Sequence, residues 1–299
     1  MAVGPPLVRC AAEMLAVAAS RGWSLGRVAL AHEAQLLGRA EAELAAEMRR
    51  RWRIMDAAVR QGLDDGAARL LLLAPSAGAI LRAETEGRLF TGGPHARAAA
   101  RAMAVMHTNG SGGVVVAAPT GGSAGVLPGV LATLAERGTD EETIVRALFA
   151  AAAIGIVLAA RATFAAEVAG CQVEIGAAGA MAAAAVVEAA GGSAAQAADA
   201  AAISFQDTMG SVCDLVQGIV EIPCHTRNAV AAASAFVCAD LIRGGYANPV
   251  PLDETIDAVY AVGRMLPAAL RCTARGGLAA APSAMTLERR RHEQPPAKR

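Results

Sequence analysis

Lysine is almost missing from this 299-residue chain. The single one, Lys298, is second from the end, and every other basic side chain is arginine. A pyridoxal-phosphate enzyme holds its cofactor as a Schiff base on a buried lysine, so the composition argues against that chemistry. Net charge is missing too, with 27 basic against 27 acidic side chains. Without a basic excess the chain has no means to displace counterions from phosphates or to hold an anionic membrane surface. Neither nucleic acid nor membrane is expected as a partner. Aromatic residues are only 3% of the chain. Long apolar runs are absent: the longest, 147–160, lies between Arg146 and Arg161, short of the roughly 20 residues of a bilayer crossing. The N-terminal stretch carries Arg9 and Glu13 and no basic leader, so no export signal is read. A cytoplasmic setting follows, in which six cysteines are thiols or metal ligands sooner than disulfides.

What the chain has in quantity is alanine, within a hydrophobic content of 55% and a charged content of 18%. Alanine favours helices and fits strands poorly, so the expectation is an all-α protein of close-packed helices. Three stretches are distinguished: a lead segment 1–26, a helical domain 27–285, and a charged, proline-containing tail 286–299 read as disordered. Residues 27–60 read as one amphipathic helix, with Leu44, Met48 and Met55 in its apolar stripe. Further helices are expected over 96–106, 141–166, 176–190, 194–206 and 227–242, and one from about 253, interrupted at Pro267. Thr139 with Glu142 reads as a capping box, Ser193 as an N-cap, and Gly244–Gly245 as a helix stop.

Residues 109–129 differ in kind: NGSGGVVVAAPTGGSAGVLPG, with seven glycines and two prolines. Here helix is broken and the backbone can approach a ligand closely. Three of the cysteines also sit at breaks: Cys171 after Gly170, Cys213 in MGSVCD, and Cys224 after Pro223. A thiolate ligand benefits from the N–H groups and dipole of a helix start. The spacing alone matches no compact zinc or ferredoxin pattern and leaves buried thiols as an alternative. Cys10 and Cys238 read as small buried hydrophobes, and Cys272 has no evident partner.

Four stretches carry a resemblance. AAPTGGSAGVLPGVL, EVAGCQVEIGAAGAMAAAAVVEAAGG, MGSVCDLVQGIVEIPCHTRNA and ARGGLA resemble segments of the iron–sulfur-dependent L-serine dehydratases. The likeness runs from about His32 to Ala279 and follows the catalytic, or alpha, part of that family, making 27–285 the catalytic domain. It implies a [4Fe–4S] cluster held by Cys171, Cys213 and Cys224. Three thiolates leave one iron open as a Lewis acid for the β-hydroxyl of a small-molecule amino-acid substrate. Loss of the α-proton and of hydroxide would then give pyruvate and ammonia through an enamine. The likeness also implies a beta subunit or a homo-oligomer.

The Gly-rich loop is the candidate cradle for substrate. Gly121 and Gly122 offer N–H groups to a carboxylate, Thr120 and Ser123 offer hydroxyls, and Asn109 precedes the loop. Arg227 and Asn228 could pair with a carboxylate or brace the cysteine loop. His107, His225 and Ser123 are the candidates for the base, and Glu167 and Glu174 flank Cys171, where they could hold an ammonium. The chain departs from the family pattern at His107–Gly110, at Leu215 and over SFQDTM before Gly210. Substrate identity stays open accordingly, with another β-substituted amino acid such as cysteine as an alternative. A zinc-bound structural protein, with His225 beside Cys224, and a non-catalytic helical protein are the other readings.

Overall fold

Small side chains let helices approach closely, and this chain uses that freedom throughout. The computed structural model describes residues 4–290. Among them lie thirteen α-helices: α1 (Ala11–Arg21), α2 (Leu25–Leu37), α3 (Glu41–Gly62), α4 (Ala77–Thr85), α5 (Gly93–Gly110), α6 (Val126–Glu136), α7 (Glu141–Arg161), α8 (Ala166–Ala169), α9 (Ile175–Ala189), α10 (Ala194–Thr208), α11 (Cys224–Arg243), α12 (Leu252–Met265) and α13 (Pro282–Met285). No strand occurs among the described residues; the one β-type pairing is an isolated bridge between Cys213 and Arg271. The all-α expectation holds.

Helix α9, IGAAGAMAAAAVVEA, is the centre of the molecule. It packs on α6, α7, α10 and α11, and nearly all its residues are buried. Glycine sets the closest approaches. A methyl group on Gly176 would sit 2.5 Å from Thr208 Oγ1 of α10, and one on Gly62 would sit 1.7 Å from the Ala104 carbonyl oxygen of α5. Neither space admits a side chain.

Several boundaries differ from the sequence reading for identifiable reasons. The helix expected over 27–60 is two helices, because Gly38 takes the left-handed conformation at φ 61 and closes α2. The cap of α7 is Asp140, which accepts from Thr143 N–H at 2.8 Å, and not Thr139; a carboxylate is the better acceptor at the positive end of a helix. Ser193 does cap α10, in a reciprocal pair with Gln196. The run Val114–Val116 forms no strand. Of the 286–299 tail, residues 286–290 lie against the body, where Arg290 N–H donates to Leu71 O at 2.7 Å; the rest falls outside the described residues.

By length and composition α7 and the stretch 171–189 would each reach across a membrane, which the count of uninterrupted apolar residues did not anticipate. Their apolar windows are 67% and 94% buried within the protein itself, so packing against other helices accounts for their hydrophobicity.

Candidate functional site

Three loops deliver the cysteines. Gly170, at φ 77, turns the chain out of α8, and Cys171 N–H then donates to Ser211 O at 2.9 Å. This stitches the first cysteine loop to the second. Cys171 opens a single 3-10 turn ahead of α9, and its sulfur accepts the Ile175 N–H. Cys213 lies in the isolated bridge. Cys224 is the first residue of the 20-residue helix α11. All three are free thiols and are 2%, 2% and 6% exposed, so each lies out of water, Cys171 and Cys224 at the start of a helical element.

The thiols act on one another. The Cys171 thiolate is favoured, first because the Cys213 thiol donates to it, and, against the cost of burial, because the Arg227 cation lies beside it. Cys213 holds its own proton far above the ordinary thiol range, since that proton is bonded to Cys171. Burial pushes Cys224 up to about 12. Three buried thiols of this kind carry a cost unless something binds them. Among the described residues no three His, Cys, Asp or Glu side chains converge as ligands of one metal ion. The His225 ring lies against that of His107, their centroids 5.4 Å apart. Soft thiolates on three separate loops are donors of the kind that hold an iron–sulfur cluster.

Charged groups brace this arrangement. Arg227 donates through Nη1 to Val212 O at 2.8 Å and pairs through Nη2 with Asp214 Oδ1 at 2.9 Å. Asp214 Oδ2 accepts from Leu278 N–H at 2.7 Å. A methyl group on Gly277 would lie 2.5 Å from that oxygen, and its φ is 60. The ARGGLA stretch is thus the clamp on the second cysteine loop. Glu221, 1% exposed, accepts the N–H groups of Leu71, Leu72 and Leu73 at 2.6, 2.8 and 2.9 Å, fixing a distant loop beside the third cysteine.

The Gly-rich loop lies against the first cysteine loop, and Glu174 joins them. Thr120 Oγ1 donates to Glu174 Oε1 at 2.5 Å. The fully buried Ser123 hydroxyl lies 3.0 Å from Thr120 Oγ1. Because Thr120 spends its proton on the carboxylate, Ser123 donates to Thr120. A methyl group on Gly122 would be 2.5 Å from Glu174 Oε1. Burial raises Glu174 above the usual carboxylate range, with the Thr120 bond opposing. Asn228, on α11, donates to Gly122 O and Cys224 O, both at 2.8 Å, and accepts from Gly125 N–H at 3.0 Å. Asn109 Nδ2 donates to Gly121 O at 2.9 Å. Both asparagines therefore hold carbonyls of the loop. The N–H groups of Gly121 and Gly122 make no hydrogen bond among the described residues and border a cavity of about 380 Å³ shared with Asn109 and Glu221. A second cavity, about 450 Å³, is lined by Cys171, Arg227, Thr208 and Met209.

His107 and His225 are both wholly buried. None of their four ring nitrogens has a well-aligned partner, although backbone groups of Gly62 and Val220 lie near them. Burial lowers both, His225 to about 3. Cys238 is buried in α11 and Cys10 precedes α1 half-buried. Cys272, in contrast, stands beside Cys213, and with Glu221 it is what the sequence did not disclose.

Fold and site together define an all-helical protein built around a buried cysteine centre with a glycine-rich loop at its side. A family model described as "Serine dehydratase alpha chain" matches residues 20–279, and the chain belongs to that family. It is 36% identical to the "Probable L-serine dehydratase, alpha chain" of Bacillus subtilis (strain 168), over 93% of either protein. It is 38% identical to the "L-serine dehydratase, alpha chain" of Peptoniphilus asaccharolyticus, over 68% of this chain and 70% of that protein. It is 37% identical to the "L-serine dehydratase" of Streptomyces coelicolor (strain ATCC BAA-471 / A3(2) / M145), over 89% of this chain but only 59% of that longer protein.

Proposed function

We propose that this chain is the α chain of an iron–sulfur L-serine dehydratase, a lyase that converts L-serine to pyruvate and ammonia in the cytoplasm. The observation that carries the reading is the meeting of three buried free thiols with two glycine N–H groups that make no hydrogen bond among the described residues, joined by one half-buried carboxyl. A [4Fe–4S] cluster on Cys171, Cys213 and Cys224 would supply a Lewis acid for the departing β-hydroxyl. The chain's own residues do the rest. Gly121 and Gly122 N–H groups bind the substrate carboxylate, while Asn109 and Asn228 keep the loop carbonyls turned away from it. Arg227 holds the Cys171 and Cys213 loops in place.

The proton acceptor in this reading is Glu174. Its carboxylate touches both loops, and burial brings it towards neutrality, where a general base works best. His107 and His225 are wholly buried and line neither of the two cavities described above, and Ser123 already directs its proton to Thr120. Glu174 takes the α-proton, the electron pair forms the carbon–carbon double bond, and hydroxide leaves the β-carbon. The resulting enamine becomes an imine, and water hydrolyses it to the keto acid and ammonia.

The α-chain names of the Bacillus and Peptoniphilus relatives, and the greater length of the Streptomyces one, support pairing with a β chain. The test is an anaerobic keto-acid and ammonia assay of the chain purified with its partner, over L-serine, D-serine, L-threonine and L-cysteine. L-serine is expected to give pyruvate and ammonia in equal amounts. Turnover of none of the four, or undiminished turnover by Cys171→Ser, Cys213→Ser and Cys224→Ser, would overturn the reading.

A further inference from the structure

The stretch SFQDTM ahead of Gly210 departs from the family pattern and has no part in that account. It forms the end of α10 and the residue after it. Ser204, Asp207, Thr208 and Met209 of this stretch make one wall of the cavity of about 450 Å³, and the first turns of α11 make another. Of the three site cysteines only Cys171 borders this cavity, so it is not a space that the three thiols share. Its size is that of a small-molecule site.

Opposite charges stand on the two walls. Asp207, on α10, is exposed, and its carboxylate enters no ion pair or hydrogen bond among the described residues. Arg227, on α11, spends one N–H on Val212 O and one on Asp214, and its side chain keeps 27% of its exposure. A guanidinium has five N–H groups in all, so Arg227 retains donors for a further anion. Ser204 is only 3% exposed and lines the same cavity, yet its hydroxyl has no hydrogen-bond partner among the described residues. A polar group held out of bulk water without a partner is costly until something pairs with it. Ile175, Met209 and Val230 supply an apolar part of the lining.

We propose that this cavity is a second amino-acid site, separate from the glycine loop, for an α-amino acid with a small apolar side chain. Arg227 takes the carboxylate, Asp207 takes the ammonium, and the Ser204 hydroxyl donates to the carboxylate. Ile175, Met209 and Val230 surround the side chain. Such a ligand has no leaving group on its β-carbon, so it is bound and not turned over. Because Arg227 also holds the Cys171 and Cys213 loops, the occupant rests against the frame of the cysteine centre. The inference needs no cluster, only the cavity and its unpaired polar groups.

The test is anaerobic isothermal titration calorimetry of the protein with its partner chain, with L-valine as the probe. Saturable binding of L-valine is expected. Isovalerate, which lacks the ammonium, and isobutylamine, which lacks the carboxylate, are each expected to bind about tenfold more weakly or worse, since each leaves one charged contact unmade. Asp207→Asn and Val230→Trp, both at exposed positions, should weaken L-valine about tenfold or more, and Ser204→Ala about fivefold. Pyruvate formation from L-serine by Asp207→Asn should stay within about twofold of the parent. No saturable L-valine binding below about 10 mM would overturn the inference. So would binding that all three variants leave unchanged, which would place L-valine elsewhere, or equal binding of either singly charged analogue. Absent pyruvate in the parent protein would instead overturn the dehydratase reading, and L-valine binding does not depend on it.

Discussion

Glu221 shows how a single carboxylate organises this site. It receives three consecutive backbone N–H groups while almost wholly buried. Hydrogen bonds to a charged acceptor each contribute about 1.5–3 kcal/mol, and Glu221→Gln keeps only part of that. We expect the variant to lose about 2 kcal/mol or more in chemical denaturation; a loss within error would show that the 71–73 loop is held by other contacts. Glu174 gives the matching catalytic prediction. Glu174→Gln preserves an acceptor for Thr120 but removes the base, so kcat should fall about a hundredfold or more with little change in KM. That the three cysteines and the glycines of the 109–129 segment lie where helices break was legible, because each interrupts a helical pattern in an alanine-rich chain. Glu221 and Cys272 were not. Their partners lie far along the chain, and backbone acceptance or a bridge leaves no mark on residue type.

Helices were legible in type and blurred at their ends. Alanine content gave the helical class, but whether 27–60 is one helix or two turned on the handedness of Gly38, which a periodic stripe does not encode. Ser193 was readable because both halves of its capping box are in the sequence. Ser193→Ala should cost about 1 kcal/mol, measured by thermal or denaturant unfolding. Close helix contact was not readable at all, since glycine within a helix looks like weak propensity until its neighbour is seen. Gly62→Ala forces a methyl group onto the Ala104 carbonyl, and α3 must shift from α5. A destabilisation of about 2 kcal/mol or more is expected; an unchanged Tm would mean that the two helices are free to separate.

At the scale of the whole molecule, burial of two histidines sets the response to acid. Both are held neutral, His225 down to about 3 from an ordinary 6.5. The unfolded chain takes up protons as pH falls below 6.5 while the native state does not. Stability is therefore full above 6.5 and declines towards the folded values, by up to about 1.4 kcal/mol per pH unit for each histidine. Denaturation midpoints at pH 7.5 and 5 should show this fall, and His107→Gln should lessen it; identical midpoints in the parent protein would contradict it.

The central claim is that Cys171, Cys213 and Cys224 jointly hold one iron–sulfur cluster. Iron and acid-labile sulfide per chain, measured after anaerobic purification of the parent protein and of its three cysteine-to-serine variants, test it most directly. The account predicts about four of each in the parent, with a large loss in every variant. Full iron and sulfide content in any of those variants would contradict it.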